Sequence, residues 1–444
     1  MKAVTLHPRT IPVIEEADIC VIGGSCTGVF AAVRAARLGA KVVIVEKQNR
    51  FGGVAVSSLV NIWHSLYDID KKEQIIAGLS LEVLERLNKR DAVTGFGMTK
   101  HFSINSDELS IELDELIIEA KVKPFLHNMF TTPYVVDGKL EGIVVENKSG
   151  AGVIKAKIFI DASGDADLCK RSGLSMYTPD EPQPPTTCAK FANWTKNGDF
   201  DLGECLAQFR EKYNLPIGYA WGTYVPNSDI YMLSGTRATK GNCANSKDLT
   251  QAEIEGRRQV RAIMDILRKE LKRKDLSLQA LPSYIGIRET RHINSLYKLL
   301  QNDLLNGTQL DDAIANGTYP VDIHHKNKPG ITFMYLDGTQ RYSCPGLTTN
   351  VERWRKETTD YPKYYQIPLR SIIPINSNNI ITAGRMIDAD KAAFGAARVM
   401  INLNQVGEAA GVAAFIALSE SKEIEKVSSL QVRKLLHDGG SIIK

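Results

Sequence analysis

Two short apolar runs, "DICVIGG" ending at Gly24 and "KVVIVEK" ending at Lys47, bracket "VFAAVRAARLGA", whose apolar positions recur with helical spacing up to Gly39. Short continuous apolar runs fit strands buried on both faces of a parallel sheet. Gly39 supplies the stop that ends a helix. Together they predict a βαβ unit of about thirty residues, the size of a mononucleotide fold. "NSDELSIELDELIIEA" predicts an amphipathic helix, with Leu109, Leu113, Leu116 and Ile117 on one face and Asn105 and Glu108 spaced as a capping box. Two strand-like runs flank Asp137-Gly138, a hairpin signature. "GVIKAKIFIDASGD" and "NNIITAGRMID" each read as a strand running into a glycine turn, and the last long helix is expected to begin near Gly407.

Composition changes this picture little. A chain of 444 residues with 43% hydrophobic and 24% charged positions is an ordinary globular protein long enough for two or three domains. A net charge of +4, spread over both signs, gives no reason to expect nucleic acid or an anionic membrane as partner. The most basic run, Leu267 to Lys274, lies in a helical pattern whose buried stripe is Ile254, Val260, Ile263, Ile266, Leu267 and Leu271, so it reads as a solvated helix face. The seven cysteines form no C-x-x-C pair, so neither a disulfide framework nor a metal site is expected. The N-terminal segment has no apolar h-region, and no apolar run reaches the roughly 18 residues of a membrane span. A cytoplasmic protein is the expectation.

The candidate chemistry begins at "GGSCTG", Gly23 to Gly28. In a G-x-G-x-x-G loop the first glycine makes the turn, the second lets a pyrophosphate approach and the third lets helix and strand pack. Here Ser25 holds the second position, a small residue whose hydroxyl can donate to phosphate. Glu46, 23 residues beyond Gly23, is placed to accept ribose hydroxyls. A second glycine pair, Gly52-Gly53, follows directly, where a simple NAD domain would enter its next helix.

Taken in order, "VIGGSCTG…VVIVEK…FGGVA", "KIFIDASGDADLCKRSG", "IGIRETRHI", "YYQIPLRSIIP" and "NNIITAGRMIDADKAAFGAARVMINLNQVGEAAG" resemble the FAD-dependent oxidoreductase family, related to fumarate reductase and HdrA-like flavoproteins. The resemblance covers roughly residues 16 to 418 and implies an α/β fold. A Rossmann-like FAD/NAD(P)-binding domain of glutathione-reductase type (1–178 and 373–444) would carry an inserted mixed α/β substrate domain (179–372), with "PDEPQPPTT" at the crossing. It implies FAD as cofactor. Gly23, Gly24, Ser25, Cys26, Thr27 and Gly28 would wrap the pyrophosphate, and Glu46 would take the adenosine ribose beside Lys47. Gly52, Gly53 and Val54 would lie along the pyrophosphate and ribityl chain, and the strand through Met129 and Phe130 would serve adenine. Ala162, Ser163 and Gly164, with Gly384 and Arg385, match the family's later turns. Gly407 would open a final helix whose N-terminus favours negative charge at the flavin N1–C2=O edge. Lys391 and Phe394 stand where relatives often carry histidine, and "RVMINLNQVGEAAG" departs from the usual sequence beside the ring.

For catalysis the candidates are Arg288, His292 and His64. "GIRETRHIN" reads either as an ion-pair network between domains or as a pocket wall supplying Arg288 and His292. His64 is either structural, a proton-transfer group or a covalent flavin attachment. Arg398 reaches the flavin edge or braces the last helix. His324-His325 reads as a surface loop, and Cys26 as a small packed residue. The expected reaction is hydride transfer between a small polar organic substrate and the flavin N5, with the electron acceptor unassigned and homo-oligomerisation left open. The alternatives are reduction of an unsaturated acid and a non-catalytic electron-transfer or scaffold subunit.

Overall fold

The computed structural model describes residues 3–4, 8–97, 100–194, 202–218, 220–344 and 346–444. At its centre are five parallel strands: β1 (Ile19–Ile22), β2 (Val42–Val45), β3 (Lys123–Phe125), β4 (Ile158–Asp161) and β5 (Ile380–Thr382). They lie in the order β5-β4-β1-β2-β3. Both faces of β1 and β2 are buried, which explains the unbroken apolar runs. Alternate side chains serve two layers. Ile19, Val21, Val42 and Ile44 pack into a core with helix α1 (Cys26–Arg37), helix α2 (Ser106–Glu119) and helix α3 (Met400–Ser419). Cys20, Ile22, Val43 and Val45 pack instead on Phe130, Ile143, Val145 and Ile154. These last four belong to a second sheet of four strands, ordered Val13–Glu16, Gly150–Lys155, Lys139–Asn147 and Met129–Val136. The hairpin turns at Asp137 (φ 49°) and Gly138 (φ 78°), the left-handed pair that the sequence signature requires.

Asn105 caps α2, accepting from Asp107 N at 3.1 Å, while its amide donates to Glu108 Oε1 at 3.0 Å. Helix α3 starts at Met400, not near Gly407, which lies in its interior. A Cβ at Gly407 would stand 2.2 Å from the Thr27 carbonyl oxygen and one at Gly411 would stand 2.3 Å from that of Ala31. These glycines therefore let α3 cross α1 backbone to backbone. Among the described residues α3 is the one helix long and apolar enough to cross a membrane by length and composition, and it is a buried core helix here.

Within residues 179–372, an antiparallel sheet built from Cys188–Ala192, Trp221–Tyr224, Tyr231–Ser234 and Ser277–Ala280 carries its own core. That core packs Phe191, Leu233, Val260, Ile263 and Leu267 under the helix Ser246–Asp265. The segment containing Leu299, Ile314, Val321, Tyr365 and Ile367 packs instead into the core of the parallel sheet and α3. There, Asn316 and Gln405 exchange hydrogen bonds of 3.1 and 2.9 Å. A further four-stranded meander, Val321–His324, Ile331–Met334, Thr339–Ser343 and Asn350–Arg353, hangs from this segment.

Candidate functional site

The β1–α1 loop is built by contacts that a side chain would block. Gly23 has φ +107°, and a Cβ there would lie 2.3 Å from the Ala162 carbonyl oxygen. Ser25 has ordinary extended backbone (φ −64°, ψ 170°) and caps α1, accepting from Gly28 N at 3.3 Å. This is why serine fits where the fingerprint has glycine: the position needs a cap and no left-handed φ. The uncompensated N–H groups of the first turn of α1 form an anion site. Gly52 bridges to Ser25, and a Cβ on Gly53 would meet that of Ser25 at 2.8 Å. Cys26 donates its thiol to the Gly52 carbonyl at 3.6 Å, and burial pushes that thiol up to about 12, so it packs rather than reacts. Glu46 directly follows β2, with Oε2 accepting from Gly24 N at 2.6 Å and Oε1 from Gln48 N at 2.8 Å. Opposite, Asp161 holds the Ala162–Gly164 turn by accepting from Ser163 Oγ at 2.6 Å. Arg385 is paired with Asp165 beside Gly164.

A cavity of ≈ 520 Å³ lies over this cradle and continues to a polar end. Of the cofactor and catalytic candidates named from the sequence, six lie outside its lining. Gly24 and Gly28 stand behind the loop and shape it. Gly407 packs on Thr27. Met129 and Phe130 open an edge strand, paired with Glu146 and Val145. His292 is 1% exposed, with Nδ1 2.7 Å from the Ile387 carbonyl oxygen and Nε2 3.1 Å from Glu289 Oε1. Its ring stacks on Tyr177. It is a brace and no catalytic group, because both ring nitrogens are used and the ring does not reach the cavity. Glu289 also accepts from Gln183 N, and Arg291 binds Asp165 O and Asp167. The network reading of "GIRETRHIN" thus fits Glu289, Arg291 and His292, while Arg288 is the charged residue of the stretch that lines the cavity, beside Gly286 and Ile287.

The polar end joins segments far apart in the chain. Arg288 donates to the Pro184 carbonyl at 2.6 Å and pairs with no carboxylate among the described residues. Burial, and then Arg398, lower it to about 10, so it stays a cation. Arg398 is neutralised by Asp322 at 3.1 Å. The Tyr319 hydroxyl donates to Asp322 Oδ2 at 2.8 Å, and His324 Nε2 stands 3.3 Å from Oδ1. Burial pushes Asp322 up, but its polar partners more than offset this and hold it below the usual carboxylate range. His324, then Arg398 and Tyr319, are the partners that hold Asp322 ionised, while burial lowers His324 itself to about 4, so that at neutral pH it serves Asp322 as an uncharged ring beside the Arg398 cation. His64 packs against the Tyr319 ring at 4.0 Å, and its Nδ1 has no hydrogen-bond partner among the described residues. Burial lowers it to about 3. Trp221, Ile331 and Phe333 supply apolar wall.

Tyr319, Asp322 and His324 escaped the sequence reading, and the surface-loop expectation for His324 is corrected: it ends a strand and lines the cavity. The readable signal was the alternation in "VDIHH", which puts Asp322 and His324 on one strand face. His325, on the other side, meets Thr332 Oγ1 at 2.8 Å.

The depressed histidines have a measurable consequence. The folded-state values of His64 and His324 lie below the ordinary 6.5, so between those values the unfolded chain binds more protons. Their contribution to stability is therefore lost as pH falls from about 6.5 toward 4. In apoprotein unfolded with urea, His64→Gln and His324→Gln should each show a shallower decline over that window than wild type. Equal slopes would mean these rings are not held neutral.

One family model, described as FAD dependent oxidoreductase, matches residues 18–436. Over 87 residues the chain is 33% identical to the mitochondrial dihydrolipoyl dehydrogenase of Schizosaccharomyces pombe, a match covering 17% of this chain and 17% of that enzyme. A geranylgeranyl bacteriochlorophyll reductase-like protein from Thermoplasma acidophilum is a structural neighbour at 13% identity and TM-score 0.48, over 95% of this chain and 83% of that one. A flavin-dependent brominase is another, at 12% identity and TM-score 0.45, over 96% of this chain and 84% of that one. The family match runs through the cradle, the polar end and α3 alike, and the chain belongs to the FAD dependent oxidoreductase family, with FAD as its cofactor.

Proposed function

We propose that this enzyme moves hydride between the flavin N5 and a small polar organic substrate bearing an anionic group, and that Arg288 holds that group. The glycine cradle fits FAD: Gly23 and Gly28 admit close backbone approach, the α1 N-terminus meets pyrophosphate, and Glu46 is placed for the ribose. When bound, the flavin supplies a two-electron centre. The observation that carries the substrate reading is Arg288, a half-buried guanidinium lining the cavity without a carboxylate partner among the described residues. A cation desolvated in this way is stabilised by an incoming anion more than a surface cation would be.

Arg398 cannot do the same work, because Asp322 already neutralises it. Tyr319 is committed to Asp322. His64 Nδ1, a buried ring nitrogen without a hydrogen-bond partner among the described residues, can accept a hydrogen bond from a substrate hydroxyl once side chains shift to admit it. A neighbouring anion favours its protonated form, so substrate binding lifts its low proton affinity toward the range useful for proton transfer. Trp221, Ile331 and Phe333 keep water from this end. The same anchor serves the reverse direction, reduction of an unsaturated acid.

The test compares an acid substrate with its neutral amide. Arg288→Met should lower kcat/KM for the acid by about tenfold to a hundredfold and leave the amide almost unchanged. Equal losses on both would remove Arg288 from anion binding.

A further inference from the structure

Helix α3 carries three buried amide side chains near its start, and two of them have partners. Asn402 donates to the Tyr365 hydroxyl at 2.9 Å and to the Ala396 carbonyl at 3.0 Å. Gln405 is paired with Asn316. Asn404 is 0% exposed, yet neither Nδ2 nor Oδ1 has a hydrogen-bond partner among the described residues. It lines the cavity together with Val399, Met400 and Leu403. The same end of α3 has no side-chain cap at Val399, so its first-turn N–H groups also lack a side-chain acceptor.

A buried amide with both donor and acceptor unmade is costly, and such groups normally have a partner. Met400, Leu403, Asn404 and Gly407 follow helical spacing along one face, and Gly407 rests on the Thr27 carbonyl. Asn404 is thereby fixed between the uncapped helix start and the glycine loop. Its occupant must present a donor and an acceptor together. Phosphate presents acceptors only, and the dimethylbenzene end of the flavin presents neither. The imide edge of the isoalloxazine presents N–H between two carbonyls.

We propose that Asn404 is a positioning residue for the flavin ring, its amide both donating to and accepting from that imide edge while the uncapped helix start stabilises negative charge beside it. The inference rests on FAD being the cofactor and adds a residue the glycine fingerprint does not contain. It has an unusual corollary. Because the amide is unpaired before FAD binds, replacing it by leucine, an apolar side chain of the same branched shape, removes two unmet polar groups from the apoprotein.

The experiment uses the full-length apoprotein titrated with FAD and with FAD methylated at flavin N3, followed by flavin fluorescence, plus the apoprotein melting temperature. Wild type should bind the N3-methyl compound about tenfold or more weakly than FAD. Asn404→Leu should bind FAD more weakly, lose the discrimination between the two, and melt as apoprotein at or above wild type. Equal wild-type affinity for both compounds, as expected if the amide meets ribityl hydroxyls or water, would overturn the proposal. So would retained discrimination in Asn404→Leu, or a lower apoprotein melting temperature with unchanged FAD affinity.

Discussion

Gly28→Val should yield protein that retains no flavin after purification and gains no thermal stability from added FAD. A Cβ at this position would stand 1.9 Å from the Gly23 carbonyl oxygen and 3.1 Å from the Ala162 side chain. Neither neighbour can yield: Gly23 is itself held against Ala162, and Ala162 belongs to the turn fixed by Asp161. The start of α1 must then move away from β1, and the row of N–H groups facing the pyrophosphate moves with it. Ser25→Gly is the control. It removes one long capping bond of 3.3 Å, an exchange worth only a few tenths of a kcal/mol, and should leave FAD bound. The flavin-to-protein ratio and the melting shift on adding FAD check both variants. FAD retention by Gly28→Val at the wild-type ratio would mean the loop does not hold the cofactor.

The second large effect is on stability. Arg34 on α1 and Glu408 on α3 are 5% and 0% exposed, and the Arg34 guanidinium binds Glu408 through both Nε and NH2 while donating to the Gly439 carbonyl. Glu408 also accepts from Leu79 N at 3.0 Å and from Ser441 Oγ. One ion pair thus ties both central helices to the C-terminal segment. Arg34→Met leaves a buried carboxylate with no cation and should cost roughly 3–5 kcal/mol in urea unfolding. Burial already raises the Glu408 pKa, and losing Arg34 raises it further. A raised carboxyl means the folded state binds the extra proton, so the loss should grow as pH rises above about 4.5 and shrink in acid. Arg34→Met/Glu408→Gln should recover part of it at neutral pH. A pH-independent loss would mean the charge of Glu408 is not the cause.

What the chain revealed in advance follows the range of the interactions involved. The βαβ unit, the Asp137-Gly138 turn and the Asn105 cap are local, and pattern alone located them. Glu46 was legible because its distance from Gly23 is set by one helix and one strand. Gly407 was noticed but misread as a helix start, because its role is close packing on Thr27, a partner nearly the whole chain away. His292 looked like catalytic chemistry, yet Glu289 and Ile387 absorb both its nitrogens, which no spacing reveals. Arg398 became readable only beside Asp322, and Tyr319 and Asp322 meet His64 and Arg288 from three separate segments. Asn404 stands out only by its lack of partners, a property that exists after packing and not before.

Under the proposed function, bound flavin exchanges hydride with a small anionic substrate at the Arg288 end of the cavity. Anaerobic mixing of the FAD-loaded enzyme with a panel of hydroxy acids, sugars and amines, followed by the absorbance of the oxidised flavin, tests it most directly. Rapid bleaching by a member of the acid group is expected, with Arg288→Met slowed on that compound alone. Bleaching by neutral sugars or amines only, at wild-type rate in Arg288→Met, would contradict it.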